Sequence, residues 1–208
     1  LPPMPEPLSY RARWGTGTRP DELRRELERA RSDIEEELCR ALGRDGFLVL
    51  ADGPLRVREP LTVVGFIKRH HKAYLEPDLK QVAHSLSAGE RTPLFRFGKI
   101  RPRYSWYVRL APVASQHPSS GLARCEVSTA LGIDRAAELA NLLTRHLPRF
   151  ASKAFWDARA PQNLVPIAAL ERRLWNLLGD RQLVYRRLRS TLQQPQASFL
   201  DSHGEADG

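Results

Sequence analysis

Three observations predict an α/β fold with a mixed sheet and a helical C-terminal region. A long segment near the start carries Leu23, Leu27, Ala30, Ile34, Leu38 and Leu42 at helical spacing. The middle holds short apolar runs rich in β-branched residues and broken by Gly-Pro or Pro/Ser stretches. From Asp134 onward the helical period returns.

Each element follows in order. Residues 1–19 open as Leu1-Pro2-Pro3-Met4-Pro5-Glu6-Pro7, which reads as a connector inside a longer protein. Pro20 to Leu42 is an amphipathic helix whose apolar stripe is expected to pack on a core. Strands are expected at Phe47 to Ala51 and at Leu61 to Lys68, then a short helix at Asp78 to Leu86 and a turn at Ser87-Ala88-Gly89-Glu90. Further strands fit Pro93 to Phe97, Tyr104 to Leu110 and Leu122 to Ser128. Asp134 is read as the cap of a helix running to about His146, and Pro166 as the opening of another to Leu178. Gly179-Asp180 then separates a last helix ending near Leu192, and residues 193–208 read as a disordered tail. There is no internal repeat.

Composition bounds the partner. The 208 residues leave room for one ordinary domain or two small ones, and the 41% apolar content is enough for a real core. Thirty-three Lys and Arg against 24 Asp and Glu give a net charge of +9, concentrated in Lys68 to Arg109 and Arg135 to Arg189. A basic excess of this kind suits a polyanion such as DNA, although an Arg-rich coding bias would also produce basic solvated faces. Two cysteines, Cys39 and Cys125, make neither a disulfide framework nor a clustered zinc site, so a reducing compartment is expected. No apolar run approaches a membrane span, and the N-terminus lacks a signal-peptide layout.

The stretch Leu48-Val49-Leu50-Ala51-Asp52-Gly53-Pro54-Leu55 carries the sharpest chemical signal: a buried strand that delivers a carboxylate to its end and breaks on Gly-Pro. Asp-Gly is also a common turn dipeptide, so Asp52 has a bland reading beside the metal-ligand one. On the upstream helix, Glu35 and Glu37 fall at the two margins of the apolar stripe and Glu36 lies away from it. Periodicity leaves Glu35 and Glu37 open; all three also suit i,i+4 pairing with Arg31 and Arg40. Lys68 ends a strand and could meet a phosphate. Arg69, His70, His71 and Lys72 are sequence neighbours and cannot all face one site, so a polar surface is expected there. Arg91 and Arg109 stand in apolar contexts and need partners; each could clamp phosphate or pair with Glu126 or Asp157. Glu126, alternating within its strand, could reach a metal. Tyr104 and Trp106 share one strand face, with Trp106 read as core, Trp156 as a candidate for stacking on a base, and Trp175 as core.

The joined order of the acidic helix, Ala51-Asp52-Gly53-Pro54-Leu55, Val64-Gly65-Phe66-Ile67-Lys68-Arg69-His70-His71 and Tyr74-Leu75 resembles the NurA family of DNA-end-processing nucleases. The likeness continues through Gly89-Glu90-Arg91-Thr92-Pro93-Leu94-Phe95, Ser105-Trp106-Tyr107-Val108-Arg109-Leu110 and Arg159-Ala160-Pro161-Gln162-Asn163-Leu164-Val165-Pro166-Ile167, and is greatest to the bacterial branch. It covers roughly Leu1 to Arg189 but only the later part of the family's domain, so residues 20–192 read as a NurA-like nuclease domain lacking its first strands. The resemblance implies a ribonuclease-H-like core and a Mn²⁺-dependent nuclease, with Mg²⁺ as the other suitable ion. It implies a homodimer that docks on a hexameric HerA-type ATPase and resects 5′ ends of broken DNA in recombinational repair, in the nucleoid of the cytoplasm. In that reading Glu35 and Asp52 are metal ligands and catalytic. On the chemistry of their own side chains, Glu171 and Lys68 join them as catalytic candidates, and Lys68, Arg91, Arg109, Arg159 and Asn163 are candidate DNA contacts. The chemistry would be metal-assisted hydrolysis by hard oxygen ligands.

Two departures from the family matter. Its first catalytic Asp, in an Asp-Gly turn on an earlier strand, has no counterpart before Glu35; Asp21 and Asp33 are helical, and the missing residue is expected upstream in a longer chain. Where archaeal members read Tyr-Pro-x-Pro-Leu-x-x-x-His, this chain has Asn163, Leu164, Val165, Pro166, Ile167 and then Glu171. Glu can ligate or orient metal-bound water as His can, or Glu171 is a surface residue pairing with Arg172. A catalytically silent DNA-binding or ATPase-adaptor module is the alternative function. An inverting sugar hydrolase on Glu35 and Asp52 would need clustered sugar-binding groups that the sequence lacks.

Overall fold

The computed structural model describes residues 19–68, 74–112, 119–152 and 163–180, together with Gln182, Leu183, Tyr185 and Arg186. The chain divides into two compact units, Leu1–Arg149 and Phe150–Gly208. The first holds a helix, α1 (Pro20–Arg44), then β1 (Val49–Asp52), β2 (Val63–Ile67), α2 (Pro77–Ser85), β3 (Phe95–Phe97), β4 (Arg103–Arg109), β5 (Leu122–Ser128) and α3 (Ile133–His146). The fold is therefore α/β with a mixed sheet. Among the described residues no helix is long and apolar enough to cross a membrane.

The five strands lie in the order β1-β2-β5-β4-β3. β1 and β2 are parallel, and every other pairing is antiparallel. Register places Phe66, Cys125 and Trp106 in one row across three strands, all fully buried. The opposite face carries the row Gly65, Glu126, Ser105 and Phe95, because side chains alternate along each strand. On that second face Leu55, Val57 and Val63 form a cluster against Cys39, Val49 and Leu61, while Ala83, Tyr107 and Leu122 form another against Leu75, Leu86 and Phe95. α1 and α2 thus supply its cover. α3 packs on β4 and buries Ala136, Leu139, Ala140 and Leu143.

A parallel pair needs a crossover, and here it is only the segment 53–62, which has no helix. Its Leu55 and Val57 fold down onto the sheet instead. Gly65 makes this possible: a Cβ there would lie 2.6 Å from Leu55 N, 2.8 Å from the Gly53 carbonyl and 3.1 Å from Glu126 Cγ. A glycine inside a strand marks such a close backbone approach. α1 approaches the same region through Gly43, where a Cβ would stand 3.1 Å from Leu61 Cβ.

Several expectations need correction. β1 is half-buried rather than buried, with Leu48 exposed and outside it, because β1 is the edge of the sheet. The α1 stripe packs on the core only toward its C-terminal end; Leu27 is 71% exposed, and Leu23, Ile34 and Leu38 are exposed too. Gly132, not Asp134, is the N-cap of α3, and Asp134 lies in its first turn, where a carboxylate favours the positive end of the helix. In the second unit, α4 (Val165–Leu178) starts with Pro166 in its first turn and ends at Gly179, with φ +71°. There Trp175 is 54% exposed with Leu174 and Leu177 on the surface, so it is not core. The tail 193–208 and most of the last helix lie outside the described residues.

Candidate functional site

Two of the expected residues are brought together by topology. Since β1 and β2 are parallel, their C-terminal ends emerge side by side; Asp52 pairs with Phe66, and the Gly53 N–H extends the ladder to the Phe66 carbonyl at 2.8 Å. Lys68, two residues beyond Phe66, returns to the face of Asp52, and its Nζ donates to Asp52 Oδ2 at 2.8 Å. The pair is partly open to solvent at the carboxyl end of the strands, where α/β sheets commonly bind ligands. An open carboxylate beside an ammonium can accept a proton or offer an oxygen ligand, while the ammonium can meet a phosphate.

The other expected residues separate. Glu35 is an exposed helix-surface carboxylate 3.8 Å from Arg31, and Glu36 pairs at 2.6 Å with Arg40, which also holds Glu59 at 2.6 Å. The i,i+4 reading of these two glutamates is the one the geometry displays; Glu37 is exposed. Glu171 is half-buried on α4, in the second unit. Arg91 gives Nε and NH2 to Asn141 Oδ1 at 3.1 and 2.8 Å, joining the chain before β3 to α3. Arg109 is fully buried, and its guanidinium donates to the backbone carbonyls of Leu86, His84 and Ser120 rather than to Glu126. It is a clasp between the end of α2 and the loop before β5, turned away from any external phosphate; desolvation lowers its pKa. Asn163 is also fully buried, and its carbonyl accepts from Ser152 N–H at 2.7 Å. Arg69, His70, His71, Lys72, Trp156, Asp157 and Arg159 lie outside the described residues.

A buried ionic cluster that sequence reading did not assemble sits on the second face of the sheet. Glu126 is fully buried, and its Oε1 accepts from Leu55 N–H at 2.7 Å and from Arg103 NH1. Arg124 NH1 stands 3.2 Å from Oε2, near enough for charge attraction but off the angle of a hydrogen bond. The Arg124 guanidinium also lies over the Tyr74 and Phe97 rings, 4.2 and 5.0 Å from their centroids. Two cations therefore share one carboxylate. The available signal was the alternation of Arg103 with Ser105 and of Arg124 with Glu126 and Ser128, which puts charges on one face of neighbouring strands.

The divalent ion implied by the resemblance needs several oxygen donors at one centre. Among the described residues no three His, Cys, Asp or Glu side chains group to hold one. Asp52 faces Lys68 and Glu35 faces Arg31, so the described residues alone do not fit such an ion.

The chain matches no known family model. No curated protein matches it either.

Proposed function

We propose that this chain acts on DNA ends as a NurA-like module, with a ribonuclease-H-like core, in company with a hexameric HerA-type ATPase and a second copy of itself. The observation that carries the reading is the Asp52–Lys68 pair at the carboxyl ends of two parallel strands, which joins the carboxylate that the family motif singles out to a strand-end lysine. The net charge of +9 adds the attraction for phosphate that such a protein needs. Nuclease activity with Mn²⁺ belongs to this proposal, with Asp52 as the carboxylate of the site, Lys68 as the phosphate contact, Glu35 as the helix carboxylate the motif implies, and Glu171 in place of the family's His. Placement in the nucleoid follows from the substrate.

A second reading, a catalytically silent DNA-binding or adaptor module, is favoured by the pairing of both expected metal carboxylates with cations, Asp52 with Lys68 and Glu35 with Arg31. One assay separates the two: cleavage of end-labelled single-stranded DNA with Mn²⁺, run on the protein and on Asp52→Ala. The nuclease reading expects cleavage that the variant loses. Equal cleavage by the variant removes Asp52 from the mechanism, and DNA binding without cleavage by either protein selects the adaptor.

A further inference from the structure

The crossover segment after β1 and the β3–β4 hairpin face each other across a cleft of about 170 Å³, into which Arg56, Arg58, Arg101 and Arg103 all contribute and no acidic residue does. Arg56, Arg58 and Arg101 are exposed. Arg103 is held by Glu126, while the three exposed like charges around this small cleft repel one another, and an anion between them relieves that repulsion. The volume is below the roughly 300–1,000 Å³ typical of sites for drug-sized ligands, so a small anionic group fits the cleft better than a whole cofactor.

The cleft is built from the interior. Glu126 Oε1 receives Leu55 N–H, at the foot of the Arg56–Arg58 wall, and Arg103 NH1, at the foot of the hairpin wall. Ser128 Oγ adds a bond to the Arg58 carbonyl at 2.6 Å. Both walls thus hang from the end of β5, while Arg124 shares the Glu126 charge and leaves the cluster net positive. At the rim Ile100 is 94% exposed between Lys99 and Arg101, on a turn that Gly98 permits with φ +85°. An apolar tip flanked by cations suits a nucleic-acid strand, whose base faces accept apolar contact while its phosphates take the arginine forks.

We infer that this cleft binds the phosphate backbone of a DNA strand, with Arg56, Arg58, Arg101 and Arg103 as its contacts and Ile100 against a base. The site rests on the reading of the protein as one that acts on DNA, and it is separate from the Asp52–Lys68 pair.

Fluorescence anisotropy with a labelled single-stranded oligonucleotide, read across a NaCl series, tests it. Arg56→Ala/Arg58→Ala/Arg101→Ala is expected to weaken binding about tenfold or more near 0.1 M salt, and to flatten the log–log salt slope by about 0.7 for each phosphate no longer neutralised. Arg24→Ala/Arg25→Ala/Arg29→Ala removes the same charge from exposed helix positions and is expected to bind like wild type. Arg101→Glu, a single change on the exposed hairpin, is a second variant expected to weaken binding. Unchanged affinity and slope in the cleft variants overturn the inference while leaving DNA binding in place. No DNA binding by wild type overturns the DNA reading itself, even if pyrophosphate binds the cleft by calorimetry. Labelled polyglutamate losing affinity on the triple variant while DNA does not would give the cleft to an acidic peptide and also overturn it.

Discussion

Asp52 and Lys68 meet in a pair that is partly solvated, and such pairs contribute about 0–1 kcal/mol to stability. Asp52→Asn is therefore expected to shift the urea midpoint by less than about 1 kcal/mol of equivalent stability, so a loss of cleavage in that variant reports chemistry and not unfolding. Arg109 is the opposite case. Its burial and its bonds to three backbone carbonyls, at the end of α2 and in the loop before β5, mean that Arg109→Met strands several buried acceptors, a loss of about 3 kcal/mol that thermal or urea denaturation would register. A stability change within about 0.5 kcal/mol, as at ordinary surface positions, would contradict its role as a clasp. The thiols give a third residue-level test. Burial raises both pKa values, for Cys39 with added repulsion from Glu35 and Glu36 and for Cys125 with added repulsion from Glu126. Near neutral pH both stay protonated, so a thiol reagent is expected to label Cys125 only after denaturant is added; prompt labelling in native buffer would show the strand open.

At the scale of elements, the crossover between β1 and β2 is held down where Gly65 leaves space. Gly65→Ala forces a methyl against the backbone of Gly53 and Leu55, which cannot yield as a flexible side chain would. The expected cost is about 1–3 kcal/mol or more by denaturation, with perturbed packing of Leu55 and Val57. Much of this layer is legible in the sequence. Period 2 identifies β4 and β5, the helical period identifies α1 and α3, and Pro166 and Gly179 bracket α4. What local pattern does not carry is which strand lies beside which. The Asp52–Lys68 contact needs β1 and β2 to be parallel neighbours although only a short crossover joins them, and the Glu126 clamp needs β5 between β2 and β4, a pairing between segments far apart in the chain. Charge alternation in β4 and β5 is visible in sequence, but its partners are not.

For the whole molecule, the unexpected feature is apolar surface. Leu23, Leu27, Ile34 and Leu38 on α1 keep helical spacing yet remain exposed, since only the end of that helix near Gly43 reaches the sheet. Periodicity reports that a face is apolar; it does not name what covers it, which is why a stripe read as core lies open. Leu27→Glu is therefore expected to alter the stability of the folded chain by no more than about 0.5 kcal/mol. Under the proposed homodimer, contiguous apolar surface of this kind is a natural place for subunits to meet. Sedimentation of wild type and Leu27→Glu/Leu38→Glu would reveal whether that face carries self-association; identical sedimentation would place any dimer contact elsewhere.

Glu126 acts as a gauge block. Because one buried oxygen anchors both Leu55 and Arg103, the distance between the two arginine-bearing walls is set by the sheet and not by the loops that display the charge. The sequences of those loops are therefore free to drift in length of side chain and local mobility while the gap they span keeps its calibration.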